Sequence, residues 1–309
     1  MNLTSALAAK QSHLPILTNI LLRADESKVE VVATNLEMAV RATLRAKVDG
    51  PGAFTVPART ITDYVHLLSE EQVEVELDNQ ELKLHCGSSS TKIKGMPAED
   101  FPVMPDVDEA HAYAIDAEKL RQALGKIVIA AAKNEIRPEL SGLYAGFFTD
   151  RYQGLVLAAT DSYRLAETRV PVAQGSDEIR CIIPARTAYE MVRLISLGKE
   201  GEAETQVRLF VGDNQIALRY NGFEMTSRLV DGTYPDYAQI IPANFKTTAT
   251  FPIDVMMNKI KAAGLFTTMG VNAVSFDLNA ADKNIAVSST STQTGQHDSR
   301  QKSDHRSFL

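Results

Sequence analysis

Cysteine is scarce in this sequence, with only Cys86 and Cys181 among 309 residues. The two lie far apart, outside any C-x-x-C pair and without a histidine at metal-ligand spacing. We therefore expect both to be reduced and buried, and we expect no metal site. This cysteine usage is typical of the cytoplasm. The N-terminus also lacks the basic start and long apolar core of a signal peptide, and no segment resembles a membrane span.

Recognisable catalytic motifs are absent as well. The sequence contains no G-x-x-x-x-G-K-[ST], no G-x-G-x-x-G after a strand, no H-E-x-x-H and no G-x-S-x-G, and its six histidines are scattered. Two carboxylate pairs, Asp161 with Glu167 and Glu135 with Glu139, are the remaining candidates for acid–base work, but nothing in the sequence holds either pair in a recognisable cleft. We expect no enzyme and no cofactor, with a hydrolase that uses Asp161 as the alternative.

An excess of positive charge is also missing, because the formal net charge is −7 at pH 7. This charge argues against a protein whose whole surface binds nucleic acid, although the cations can still gather on a single face. Apolar residues make up 44% of the sequence, which is enough for real cores. The length favours about two domains.

What the sequence does contain is a repeat. Residues 183–195 read I-P-A-R-T-A-Y-E-M-V-R-L-I, and residues 56–68 read V-P-A-R-T-I-T-D-Y-V-H-L-L. Each copy predicts the end of a strand and then an amphipathic helix with proline in its first turn, where the N–H that proline lacks is not needed. In the second copy, Ala188, Met191, Val192 and Ile195 recur at helical spacing and form one apolar stripe.

The repeat extends along the whole chain. Strands predicted at 14–22, 29–34 and 43–47, the first P-A-R-T helix and a hairpin of 73–77 with 81–85 form a first unit, residues 1–108. A second unit, residues 109–244, opens with a strand at 113–116 and a helix at 117–133 and then repeats that order. A third unit, residues 245–309, begins in the same way, but its residues 296–309 are polar and aperiodic, which predicts a disordered tail. Only the middle unit is whole.

Two features of the repeat point to binding. Cations recur on the predicted helices. If the repeats stack, these cations would lie along one surface, which would bind the phosphates of duplex DNA without regard to the DNA sequence. Segment 159–166, A-T-D-S-Y-R-L-A, predicts the lip of an apolar groove for a short peptide. The ordinary alternative for the cations is a solvated helix face, and for segment 159–166 it is a strand that runs into a turn. The recurring helix cations are Arg59, Lys119, Lys126, Lys133, Arg186, Arg193, Lys259 and Lys261.

Over residues 3–295 the sequence resembles the bacterial DNA polymerase III beta subunit, the DNA sliding clamp family. The likeness rests on several motifs that occur in order. They are L-P-I-L-T-N-I-L-L, T-N-L-E, T-V-P-A-R, G-M-P-A-E-D-F-P, A-T-D-S-Y-R-L-A, T-S-R-L-V-D-G-T-Y-P-D-Y and S-S-T-S-T-Q-T-G.

The resemblance implies an α+β DNA-clamp fold of three repeated domains, each with helices on the inner face and antiparallel sheets outside. Two subunits would close head to tail into a homodimer ring around duplex DNA, and the ring would tether a polymerase without catalysing a reaction. The implied partners are the DNA polymerase III alpha subunit, the clamp loader and other proteins with a clamp-binding motif. The implied peptide groove consists of Leu140, Thr160, Ser162, Tyr163, Arg164, Leu165, Pro235, Gln239 and Ile240. The implied DNA-facing cations are Arg59, Lys119, Lys126, Lys133, Arg137, Arg186, Arg193 and Lys259.

The sequence departs from the family pattern at both ends. It lacks the family's first strand and much of the first helix, and it lacks the second half of the third domain with its apolar tail, which forms one wall of the groove. We therefore hypothesise a truncated or frame-shifted clamp with an exposed sheet edge in the third domain and weakened ring closure. The alternative function is a monomeric clamp-like protein that only binds clamp-binding peptides.

Overall fold

The computed structural model describes residues 14–68, 72–104, 107–134, 136–198, 204–245, 247–268, 272–279, 281–302 and 304–307. The chain divides into two compact units, of which the first ends at Tyr234 and the second begins at Pro235. The predicted boundary at residue 108 lies inside the first unit and stays a prediction.

The first repeat consists of antiparallel strands around one P-A-R-T helix. Its elements are β1 (Asn19–Asp25), β2 (Lys28–Thr34), β3 (Met38–Arg45), β4 (Gly52–Pro57), α1 (Ala58–His66), β5 (Glu74–Asp78), β6 (Glu81–Cys86), β7 (Ser89–Lys94) and β8 (Met96–Pro97). The prediction of a strand from residue 14 is wrong, because Pro15–Thr18 forms a 3-10 turn before β1. Proline fixes φ and favours such a turn, and the Thr18 hydroxyl donates to the Pro15 carbonyl at 2.7 Å.

The second repeat reproduces this order and adds elements to it. It contains β9 (Ala112–Asp116), α2 (Ala117–Ile127), β10 (Gly142–Thr149), β11 (Tyr152–Thr160), β12 (Leu165–Val170), β13 (Val172–Gln174), β14 (Ile179–Pro184), α3 (Ala185–Gly198), β15 (Gln206–Val211), β16 (Gln215–Tyr220) and β17 (Phe223–Arg228). Pro57 ends β4 and Pro184 ends β14, and a helix begins at the next residue in both cases. The duplicated strand–helix element is confirmed.

Helix α2 shows how sequence sets its bounds. Asp116 caps the helix, because its carboxylate accepts the Lys119 backbone N–H at 2.9 Å. The expectation of a helix to Lys133 is wrong, since α2 ends at Ile127 and a 3-10 turn, Val128–Ala130, follows. The run Ile127–Val128–Ile129 is β-branched, which disfavours a continued α-helix, and 3-10 turns are frequent at helix ends.

One ten-stranded sheet runs through both repeats in the order β13-β9-β15-β16-β17-β3-β2-β1-β4-β8. Strands β17 and β3 join the repeats, with Met225 opposite Val40. A four-stranded sheet, β12-β11-β10-β14, and a three-stranded sheet, β5-β6-β7, complete the first unit. Helices α2 and α3 pack against each other. Their apolar stripes, including Leu124 and Leu194, belong to one large buried cluster with the strands.

The second unit contains β18 (Thr247–Thr250), α4 (Ile253–Gly264), β19 (Ser275–Asn279), β20 (Asn284–Ser291), β21 (Gly295–Lys302) and β22 (Asp304–Ser307). Its small core consists of Met256, Ala263, Ile285 and Val287. In the described part of both units, no helix has the length and apolarity needed to cross a membrane.

The expectation of a disordered tail at 296–309 is wrong where the structure describes these residues. Strand β21 pairs antiparallel with β20 over eight residues, and β22 pairs with β18. Backbone hydrogen bonds need no apolar side chains, and one face of an antiparallel sheet can be solvated. Since β13 pairs with β9 in the second repeat as β22 pairs with β18 here, the third repeat continues beyond residue 295.

Candidate nucleic-acid interface and peptide groove

The outward face of α3 carries a row of charges. Arg186, Glu190 and Arg193 stand at helical spacing, and the two arginines are exposed. The opposite face of the helix is buried through Thr187, Ala188, Met191, Leu194, Ile195 and Gly198. The Glu190 carboxylate accepts from Arg193 at 2.9 Å, whereas Arg186 has no ion-pair partner in the described part of the chain. Arg186 therefore presents an uncompensated positive charge.

Helix α2 also presents exposed lysines. Lys119 and Lys126 are exposed, and the described residues include no ion-pair partner for either. Arg121, which the sequence analysis did not single out, is held by Glu118 through two hydrogen bonds of 2.9 and 2.7 Å. The Glu118 hydrogen bond is the main reason that the pKa of Arg121 is raised. Since α2 and α3 pack side by side, their lysines and arginines lie on neighbouring helices.

The remaining predicted DNA-facing cations differ in their surroundings. Arg59 on α1 lies 3.5 Å from the Asp63 carboxylate, and Arg137 donates to Glu139 at 2.9 Å. Lys133 is exposed but lies past the end of α2, and Lys259 is half-buried on α4 in the second unit. The cations of α2 and α3 thus stand on two helices that pack against each other, whereas Arg59 and Arg137 are already paired with carboxylates.

The segment predicted to form the groove lip is a tightly hydrogen-bonded turn. The Asp161 carboxylate accepts the backbone N–H groups of Tyr163 and Arg164, both at 3.0 Å, and the Arg164 guanidinium at 3.1 Å. The Thr160 hydroxyl donates to the Arg164 carbonyl at 2.7 Å. Ser162 has φ +75°, the left-handed region that non-glycine residues rarely adopt. The turn leaves Tyr163 98% exposed.

Asp161 has the wrong electrostatics for a general base. Partial burial raises its pKa, but the N–H groups of Tyr163 and Arg164 and the Arg164 guanidinium outweigh burial, so the pKa lies below its usual value. The suggested partner Glu167 pairs instead with Arg151 at 3.4 Å, and Glu135 lies outside the described residues. Groups of three or more His, Cys, Asp or Glu that could hold a metal ion do not occur among the residues described.

Tyr234, which is far from this turn in the sequence, also stabilises it, and the sequence did not predict this contact. Its hydroxyl accepts the Thr160 backbone N–H at 3.0 Å, and its ring tilts against Tyr144 with centroids 5.7 Å apart. Burial raises the pKa of Tyr234 to about 12. The G-T-Y-P-D motif was the available signal, but nothing local in it indicates a partner 74 residues away.

The other predicted groove residues vary in exposure. Leu140 and Thr160 are buried, and Leu165 is half-buried. Pro235, Gln239 and Ile240 belong to the second unit, where Asp236 caps the 3-10 turn Tyr237–Ile240 and Ile240 is exposed.

A turn occurs at this position in all three repeats, and the first and second copies share the same geometry. In the first, the Asn35 amide oxygen accepts the N–H groups of Glu37 and Met38 at 3.0 and 2.8 Å, and Leu36 has φ +74°. In the third, the Ser291 hydroxyl accepts the N–H groups of Gln293 and Thr294 at 3.3 and 3.4 Å. The turn is therefore a structural feature of the repeat, and the exposed aromatic of Tyr163 distinguishes the second copy.

Comparisons with known proteins agree with this architecture. A beta sliding clamp from Synechococcus elongatus is 26% identical over 300 residues, which cover 96% of this chain and 78% of the relative. One from Proteus mirabilis is 29% identical over 267 residues, which cover 86% of this chain and 71% of the relative. Among solved structures, the sliding clamp of Pseudomonas aeruginosa bound to griselimycin has a TM-score of 0.89 at 22% identity, with 99% of this chain and 81% of that chain covered. The beta subunit of Thermotoga maritima has a TM-score of 0.86 at 25% identity, with the same coverage.

The α+β fold, with its repeated helices and antiparallel sheets, is therefore that of a sliding clamp. The family model for the central domain of the DNA polymerase III beta subunit matches residues 114–236, and that for its N-terminal domain matches residues 2–105. The two matches span most of the chain. The chain belongs to the DNA polymerase III beta subunit family.

Proposed function

We propose that this protein is a DNA polymerase processivity factor, a sliding clamp that encircles duplex DNA and tethers the replicative polymerase in the cytoplasm. The observation that carries the proposal is the pair of packed helices α2 and α3, which turn Lys119, Lys126 and Arg186 outward without carboxylate partners in the described part of the chain. Such cations attract the phosphates of any sequence through counterion release. The proposed role is tethering, which needs no catalytic group. Residues 1–108, 109–244 and 245–309 are the proposed three clamp domains.

The internal junction supports a head-to-tail ring. Strand β17 of the second repeat pairs with β3 of the first. By position in the repeat, β7 is the equivalent of β17 and β21 is the equivalent of β3. Both β7 and β21 are edge strands among the described sheets, so β7 of one chain has the free edge to pair with β21 of a second. An unpaired edge is a ready template for such pairing.

Equivalent threonines support the same contact. Thr187, in the second P-A-R-T copy, is fully buried, with its hydroxyl 2.7 Å from the Ser227 hydroxyl on β17 and 3.3 Å from Met38 Sδ at the start of β3. Its equivalent in the first copy, Thr60, is exposed. The junction of β17 with β3 covers Thr187, and an equivalent junction made by β7 with a second chain would cover Thr60.

The ring is tested by retention on DNA after loading. We expect slow loss from closed circular DNA and rapid loss from the same DNA after linearisation, together with a sedimentation mass of two chains. Reversing Lys126 and Arg186 to glutamate should weaken retention, whereas reversing the exposed loop residue Lys47 should not. Equal loss from circular and linear DNA with a mass of one chain would instead support the monomeric peptide binder.

The proposed partners of the groove are short apolar motifs in the polymerase, the clamp loader and other replication and repair proteins. The exposed ring of Tyr163 supports this assignment, because aromatic anchors contribute much of the energy of such contacts. A labelled peptide that carries a clamp-binding motif of a polymerase alpha subunit is a suitable probe. Tyr163→Ala should weaken its binding by about 1 kcal/mol or more, and unchanged binding would place the peptide elsewhere.

A further inference from the structure

A carboxylate stands among the cations of each P-A-R-T helix, at equivalent positions. Asp63 on α1 and Glu190 on α3 each lie four residues after the arginine of the motif. In α1, Asp63 Oδ2 is 3.5 Å from Arg59 Nε. In α3, Glu190 Oε2 is 2.9 Å from Arg193 Nη1. Both copies of the helix thus carry an acid on the face that would meet DNA.

The two ion pairs differ in strength. The Glu190 side chain is only 12% exposed, so its carboxylate is held close to Arg193, whereas the Asp63 side chain is 67% exposed and its pair with Arg59 is open to solvent. Exposed pairs contribute little to stability. Asp63 is therefore not needed chiefly to hold α1 in place. Each acid does, however, occupy a guanidinium and oppose the approach of a phosphate.

We propose that Asp63 and Glu190 are counter-charges that limit the affinity of the helix face for DNA, so that the ring moves along the duplex instead of adhering to it. The proposal rests on the sliding-clamp function above. Each phosphate contact adds about 0.9 to the slope of log K against log salt concentration. Freeing one arginine for one phosphate would therefore raise affinity by up to about eightfold at roughly 0.1 M salt.

The test is a salt titration of binding to a short fluorescent duplex. Glu190→Gln should make the slope steeper by up to about 0.9 and tighten binding. Asp63→Asn should act in the same direction but less, because its pair with Arg59 is longer and more exposed. The matched control is Glu178→Gln, which breaks the 2.7 Å pair with Arg180 at the start of β14 and makes the same change in net charge away from the helices. We expect this control to leave the slope unchanged.

Three outcomes would overturn the proposal. Unchanged slopes in both helix variants, when the wild type binds, would mean that neither acid opposes phosphate contact. An equal rise in the Glu178→Gln control would mean that only net charge matters. A wild type without any salt-dependent binding to the short duplex would remove this proposal, whereas slow loss from closed circular DNA would still support the sliding-clamp function. Because Asp63 is exposed, Asp63→Asn keeps the test valid even if Glu190→Gln unfolds the protein.

Discussion

Replacing Tyr234 with phenylalanine tests how the peptide-groove turn is held. Phenylalanine keeps the ring, which is 9% exposed and packs against Tyr144, but removes the hydroxyl that accepts the Thr160 N–H at 3.0 Å. Thr160 is itself buried, so its N–H would lose its partner without gaining water. An unsatisfied buried donor costs about 1–3 kcal/mol. We expect the free energy of unfolding to fall by that amount.

The assay is urea unfolding together with peptide binding. The midpoint should fall while the slope with denaturant stays constant, since the surface exposed on unfolding does not change. Peptide binding should weaken as well, because Thr160 begins the turn that presents Tyr163. Tyr163→Ala is the matched variant, and because that side chain is exposed, stability should change by less than about 0.5 kcal/mol while peptide binding falls.

The reasoning would be refuted if Tyr234→Phe matched the wild type in both measurements. That result would mean that another acceptor, such as a water molecule, satisfies the Thr160 N–H without cost. A loss of peptide binding with no loss of stability would also contradict this prediction, because the Tyr234 hydroxyl is expected to affect peptide binding only through the hydrogen bond that stabilises the turn.

Three further predictions concern charge and packing. Burial raises the pKa of Glu224, but Arg41 and Arg219 outweigh burial and lower that pKa. The stabilisation is therefore present above pH about 4.5 and is lost as pH falls through the lowered pKa of the folded protein. Glu224→Gln should cost about 1–3 kcal/mol at pH 7 in urea unfolding, and this cost should shrink as the pH is lowered. Burial raises the pKa of Tyr113 and Tyr234 to about 12. Both therefore contribute stability that is present below pH about 10 and is lost as pH rises towards 12, and unfolding curves together with tyrosinate absorbance can follow this loss. Leu194→Ala should cost about 2–5 kcal/mol in urea unfolding because the side chain is fully buried, whereas the partly exposed Leu197→Ala should cost clearly less.

The sequence predicts the parts of the fold that local pattern controls. The P-A-R-T copies give helices in the expected places, because proline and a period of about 3.6 act within a few residues. Strand β21 was missed because its pairing depends on the backbone of β20, and polar residues such as Gln296 and Asp298 give no apolar alternation. The contact of Tyr234 with Thr160 was missed for a similar reason, since no local rule joins residues so far apart. The cations were found individually, but their pairing with Glu190 and Asp63 required the helix geometry.

The proposed ring follows from the kind of contact that joins the repeats. Strands β17 and β3 are different elements, so their junction is heterologous, and repeating it gives a closed ring if the rotations close and an open filament if they do not. A symmetric dimer that paired β7 with β7 would leave both β21 edges free, whereas head-to-tail pairing uses β7 and β21 of every chain. The number of chains in the assembly therefore distinguishes a closed ring from an open filament. A mass fixed at two chains over a wide range of protein concentration supports closure, and a mass that grows with concentration would mean that the same contact builds a filament.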